Sequence, residues 1–226
     1  ELTYNAPLSG ETRKVRLLAS GGLRRSALDA ISDEAIESTF GNTLVLTIDQ
    51  RIQSMTETAL NRAVAQYQAL SGGAVVMDVK TGEILALANC PDFDLNDVHE
   101  LKGDDERKRD RVLTDPREVG SVMKIITSSL LIDSGLLSPD EMINCHDGSA
   151  WVGGRVIRDD HPMGVVPFSE AFAESSNIAM ASLADARLEP NAYYAGLQRF
   201  GVGKPTGIDL PGENGGILRP VARWTG

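Results

Sequence analysis

Gly120-Ser121-Val122-Met123-Lys124-Ile125-Ile126 opens an apolar stretch that reads as a helix, and its reading decides the rest of the chain. On a helix, residues three apart share one face, so the Ser121 hydroxyl and the Lys124 amine can meet. A serine hydroxyl is a weak nucleophile until a base takes its proton. A lysine whose pKa is lowered by burial or by nearby positive charge can be that base. The stretch therefore predicts a serine acyl-transfer site. Val122, Ile125, Ile126, Leu130, Leu131 and Ile132 fall on both faces, which predicts a central, buried helix from about Ser121 to Ser134, stopped at Gly135. Its N-terminus would set backbone N–H groups and partial positive charge beside Ser121, suited to an oxyanion.

Alone, the pattern is cheap. With 17 serines and 6 lysines, a Ser-x-x-Lys arises by chance about half a time per chain, and the plain alternative is a small residue at a helix start with a surface lysine. A second constellation lies 54 residues on: Glu174-Ser175-Ser176-Asn177-Ile178-Ala179-Met180 begins another apolar helix. Here the plain reading is that Ser175 or Ser176 caps that helix.

Composition narrows the classes. The chain has 226 residues, 42% hydrophobic and 24% charged, enough for a substantial core. Its net charge of −10 argues against a nucleic-acid surface and fits poorly with docking to anionic lipid. No run of 18 apolar residues is present. Two cysteines, Cys90 and Cys145, make no disulfide framework, and whether they pair stays open. The three histidines show no ligand spacing, so no metal is expected.

Along the chain, residues 1–41 are mixed, with a turn signal at Gly21-Gly22 and a basic pair at Arg24-Arg25. Thr43 to Ile48 reads as a strand and Asp49 as the N-cap of a helix running to about Leu70. The helix carries Ile52, Met55, Ala59, Leu60, Ala63 and Val64 at helical spacing. Gly73 to Val79 and Glu83 to Ala88 flank Lys80-Thr81-Gly82 as a hairpin. Residues 91–118 read as a long surface loop, with the alternating charges of Lys102 to Arg111 in water.

These segments together resemble the transpeptidase domain of the class B penicillin-binding proteins. Leu44 to Gln53 is similar to that family's entry strand and helix, Gly73 to Asn89 to its first hairpin, and Arg111 to Ser121 to the approach to its nucleophile. Gly201-Val202-Gly203 with Thr206 to Glu213 is similar to a later stretch, and Glu1 to Gly10 to the end of the upstream pedestal. The likeness is collinear over nearly the whole chain. Ser121-Val122-Met123-Lys124 and the Arg158-Asp159 to Gly164 region look more like the cell-division branch than the elongation branch.

The resemblance implies an α+β penicillin-binding/serine transpeptidase fold, an antiparallel sheet flanked by helices. Residues 1–41 would end the N-terminal pedestal, and 42–226 would form the N-terminal part of the transpeptidase domain. It implies peptidoglycan cross-linking by serine acyl transfer from D-Ala-D-Ala stem peptides, with covalent capture of β-lactams and no cofactor. Ser121 would be the acylated nucleophile, Lys124 its base and Ser175 the relay toward the leaving D-alanine. Asn177 would bind the donor peptide and help hold Lys124. Stem peptides and β-lactams are the implied partners, joined by divisome proteins reached through upstream segments. The implied place is the outer face of the bacterial cytoplasmic membrane, held by an upstream anchor.

The family's third motif, Lys-Thr/Ser-Gly on a strand, should follow the Ser-x-Asn serine. Lys80-Thr81-Gly82 spells it but precedes Ser121 at a hairpin tip, and Lys204-Pro205-Thr206-Gly207 is broken by proline; both read as turns. The sheet is therefore expected to be incomplete within residues 1–226, its hairpin edge exposed, and this stretch poorly competent by itself. Alternatives are a β-lactamase or D,D-carboxypeptidase of the same superfamily, or an inactive penicillin sensor or scaffold. Glu174 is the residue that would have to face the site in a β-lactamase.

Overall fold

The computed structural model describes residues 3–10, 41–94, 96, 103 and 105–224. The turn at Gly21-Gly22 and the basic pair Arg24-Arg25 lie outside the described residues, as does most of the segment expected to be pedestal. The chain forms two compact units, residues 1–114 with 209–212 and residues 115–208 with 213–226.

In the first unit a short helix, α1 (Asn5–Leu8), precedes α2 (Gln50–Gln66). Asp49 caps α2 as expected: its Oδ1 accepts the Arg51 and Ile52 amides at 2.8 and 3.0 Å. The helix ends at Gln66, four residues short of expectation, and Met55 turns to solvent instead of joining the apolar stripe. The hairpin is where the sequence puts it. Strand β1 (Gly72–Met77) pairs antiparallel with β2 (Ile84–Cys90), Gly72 opposite Cys90 and Val75 opposite Leu87. Asp78 Oδ1 accepts the Lys80 and Thr81 amides at 2.7 and 3.2 Å, so Lys80-Thr81-Gly82 is an Asx-stabilised turn.

The expected strand Thr43–Ile48 does not form. Only Thr47 Oγ1 and the Asp49 amide reach β2, at Ile84 O and Leu85 O, while Val45 is 88% exposed. Its β-branched residues give propensity without a ladder to join. Gln53 fills part of that role, because its side-chain amide bonds both ways with Leu87 (Nε2 to O 2.9 Å, N to Oε1 2.8 Å). The stretch expected to be a loop holds a 3₁₀ turn at Glu106–Lys108 and a short helix, α3 (Arg111–Thr114). Lys102 lies outside the described residues; among those described, Arg107 pairs with Asp105 at 2.8 Å and Arg111 with Glu106 at 2.7 Å.

In the second unit a 3₁₀ turn, Gly120–Val122, leads into α4 (Met123–Asp133). Then come β3 (Met142–Asn144), β4 (Ser149–Val152), β5 (Arg155–Arg158) and β6 (Val165–Pro167), followed by α5 (Phe168–Ala173), α6 (Asn177–Arg187) and α7 (Pro190–Arg199). The α+β class with antiparallel pairing holds, and the strands pair two by two: β1 with β2, β3 with β6, β4 with β5. The core gathers Leu131, Leu137, Ile143, Cys145, Met163, Phe168, Ala171, Ala179, Met180 and Leu183. Gly196 lets α7 approach α4: a Cβ there would stand 2.5 Å from Leu130 Cδ1.

Helix α4 is not buried all round. Leu130 and Leu131 are buried, but Val122 is 60% and Ile125 54% exposed. Helices α6 and α7 cover one side of α4, and nothing among the described residues of its own unit covers the other. Lys204-Pro205-Thr206-Gly207 is a turn, its Thr206 amide and hydroxyl both held by Glu213 Oε1 at 2.6 Å. Both cysteines are free thiols, Cys145 fully buried and Cys90 partly.

Candidate active site

The site is built on two joints between elements. At the first, Gly120 takes a positive φ of 58° and the chain enters a 3₁₀ turn, so Ser121 is carried one turn ahead of α4 and stays exposed. Lys124 lies in the first turn of α4 proper.

The second joint links α5 to α6 in three residues, Glu174, Ser175 and Ser176. The Ser176 amide bonds Ala171 O at 2.8 Å and the Ser175 amide bonds Phe172 O at 3.0 Å. This is the paired termination that usually places glycine in the left-handed position. Here that position is Ser175, at φ 58°. A non-glycine residue there costs about 1–2 kcal/mol. Ser176 then caps α6, its Oγ accepting the Ala179 amide at 2.9 Å. The two readings of the Ser-Ser pair are thus divided between its members. Ser176, buried, is the cap; Ser175, outside the helix, presents its hydroxyl to the first joint.

The hydroxyls and the amine converge. Lys124 Nζ donates to Ser175 Oγ at 2.9 Å and to the Ser175 carbonyl, and Ser175 Oγ donates to Ser121 Oγ at 3.2 Å. The direct Ser121–Lys124 bond suggested by the spacing is absent. The 3₁₀ turn puts Ser121 out of phase with α4, and Ser175 stands between the two. Burial lowers the Lys124 pKa from its ordinary value, and the negative charges of Asp159 and Asp160 act against that shift.

Asn177 lies in the first turn of α6, and its Nδ2 donates to Arg158 O at 2.9 Å. It makes no hydrogen bond with Lys124, which is held by Ser175 instead. Glu174 is turned to His161, Oε2 to Nε2 3.3 Å, and is exposed. Lys80 and Lys204 take no part in this cluster. Among the described residues no three His, Cys, Asp or Glu side chains gather as a metal site.

Asp159, which the sequence shows only as part of the Arg158-Asp159 to Gly164 resemblance, has a part in the site that no local pattern indicates. Following β5, it accepts Ser176 Oγ at 2.7 Å on Oδ2, and the Asn177 and Ile178 amides at 2.6 and 3.0 Å on Oδ1. One carboxylate therefore satisfies the unpaired amides at the start of α6 and fixes the Ser175–Asn177 turn. It lies 16 residues upstream of Ser175, so no local pattern announces it.

Residues 72–226 match the penicillin-binding protein transpeptidase domain. The penicillin-binding protein PbpB of Mycobacterium tuberculosis is 39% identical over 82% of this chain and 27% of its own length. The probable peptidoglycan D,D-transpeptidase PenA of Neisseria flavescens is 34% identical over 99% of this chain and 54% of its own. Among solved structures, penicillin-binding protein 3 of M. tuberculosis complexed with ampicillin superposes with a TM-score of 0.74 at 38% identity. That match covers 82% of this chain and 41% of the other. The chain thus spans between about a quarter and about half of the length of the curated relatives it matches.

Proposed function

Because the chain belongs to the penicillin-binding protein transpeptidase family, we propose that it supplies the nucleophilic half of a serine-type peptidoglycan D,D-transpeptidase. The observation that carries this reading is the Ser121–Ser175–Lys124 chain of 3.2 and 2.9 Å contacts, with an amine whose pKa burial has lowered.

In the first half-reaction Ser121 Oγ attacks the carbonyl of the penultimate D-alanine. Its proton passes through Ser175 Oγ to the neutral Lys124 amine. A C–O ester bond forms. The amide C–N bond breaks as Lys124, again through Ser175, returns the proton to the departing D-alanine nitrogen. In the second, the amine of a neighbouring stem peptide attacks the ester, a new amide forms, and Ser121 Oγ leaves and takes up the proton lost by the amine. The α6 turn bearing Asn177 borders the space where the donor peptide lies. A β-lactam enters by the same attack, its ring amide opening to give an ester on Ser121. The ampicillin complex of the M. tuberculosis relative supports this capture.

Residues 42–226 then belong to the transpeptidase domain and residues 1–41 to the end of the pedestal. The protein acts outside the cytoplasmic membrane, where peptidoglycan lies. The proposed anchor in an upstream segment rests on the family resemblance; no helix among the described residues is long and apolar enough to cross a membrane. The septal branch, with divisome partners, rests on the resemblance at Ser121 to Lys124 and Arg158 to Gly164. The β-lactamase alternative gains nothing, because the Glu174 carboxylate is engaged with His161.

Fluorescent penicillin tests the reading on the full-length protein. Stable label, lost in Ser121→Ala, is expected. Rapid turnover of the label would mean a lactamase, and an unlabelled wild type would remove the enzyme assignment.

A further inference from the structure

Beside the catalytic cluster, β5 closes a groove of about 490 Å³ that also takes in Lys124, Asn177 and Met180. The hairpin geometry fixes which backbone groups of β5 face it. The two-residue turn Gly153-Gly154 joins Val152 to Arg155, so that opposed pair exchanges ladder hydrogen bonds. Ala150 with Ile157, and Gly148 with Asp159, follow in phase, as the Asp159 amide bonded to Gly148 O confirms. The N–H and C=O of Val156 and Arg158 therefore point away from β4. Asn177 Nδ2 already takes one of them, Arg158 O at 2.9 Å. The N–H and C=O of Val156 have no partner among the described residues.

Charge singles out the same edge. In a chain of net charge −10, Arg155 and Arg158 both line this groove. Both are exposed, and neither has an ion-pair partner among the described residues. An unpaired strand edge is a template for an added strand, and a planar guanidinium suits a carboxylate.

We propose that the outward edge of β5 binds an extended peptide bearing carboxylates. The peptide adds to Val156 as a third strand, while Arg155 and Arg158 engage its acidic groups. Naming that peptide as a substrate strand rests on the transpeptidase reading; the binding itself does not. The edge is continuous with Asn177, so a peptide laid along it runs toward Ser175 and Ser121.

The probe is a synthetic peptide ending in D-Ala-D-Ala with two side-chain carboxylates, set against the same peptide with both amidated. Trp151 lies directly across the ladder from Val156 and is 72% exposed, which makes its fluorescence a local reporter. Wild-type full-length protein should bind the acidic peptide about 10–100-fold tighter than the amidated one, a factor of ten being worth about 1.4 kcal/mol. Arg155→Gln with Arg158→Gln should erase that preference by weakening only the acidic peptide. Glu at both positions should invert it. Val156→Pro removes the outward N–H without touching the β4 ladder, so it should weaken both peptides alike.

Equal binding of the two peptides by wild type, or arginine variants that lose both equally, would overturn the proposal. Penicillin labelling runs in parallel. If wild type fails to label but still prefers the acidic peptide, the enzymatic reading falls and the strand site stands.

Discussion

Replacing Asp159 by alanine should cost both stability and acylation, and its size can be worked from three distances. The carboxylate accepts Ser176 Oγ at 2.7 Å and the Asn177 and Ile178 amides at 2.6 and 3.0 Å. Each bond contributes about 1 kcal/mol net, and the Ser176 cap takes the Ala179 amide rather than these two, so a loss of about 3 kcal/mol is expected. For a urea slope of about 2 kcal/mol/M, the unfolding midpoint should fall by about 1.5 M. Because Ser175 adjoins this turn, its hydroxyl also loses its fixed position, and a displacement of about 1 Å lowers penicillin acylation by about 100-fold. Asp159→Asn keeps one oxygen for the two amides and should lose only about 1 kcal/mol. Urea unfolding and stopped-flow acylation measure the two effects. An alanine variant with unchanged midpoint and unchanged acylation rate would refute the claim that this carboxylate fixes the turn.

Other predictions follow from the same geometry. Lys124→Ala should abolish acylation while circular dichroism shows the fold retained; a normally acylating variant removes its role as base. Ser175→Ala and Ser175→Gly should both slow acylation by about 10²–10⁴-fold. The glycine variant should unfold at the higher urea concentration, by about 1 kcal/mol, because it relieves the left-handed strain; equal midpoints would mean no strain is held there. The lowered pKa of Lys124 means that the acid limb of the acylation–pH profile should lie below the ordinary lysine value of 10.5. Asp160→Asn removes a charge that raises that pKa, so the limb should move to lower pH; movement upward would contradict the assignment. The sign for stability is consistent. The unfolded chain holds this proton to higher pH than the native state does, so stability rises with pH from the folded pKa up to 10.5.

The helices and the hairpin were legible because their signals are local. Asp49 caps, Gly82 turns, and the apolar spacing of α4 sits within one window. The strand expected at Thr43–Ile48 failed because propensity names a residue's preference but not its partner, and Gln53 meets part of the β2 edge instead. The burial of α4 was overread for a similar reason: apolar residues on two faces show what could be covered, not what covers them. In the site, the residue types were readable and their wiring was not. Spacing suggested that Ser121 and Lys124 meet directly, whereas a 3₁₀ turn and a left-handed serine place Ser175 between them. The role of Asp159 was not readable, because it depends on β5 ending beside α6.

Intact-protein mass spectrometry with peptide mapping, after exposure of the full-length protein to benzylpenicillin, tests the central claim most directly. One adduct of the inhibitor's full mass on the peptide containing Ser121, absent from Ser121→Ala, is the predicted result. An adduct on Ser175, or one that persists in Ser121→Ala, would contradict it.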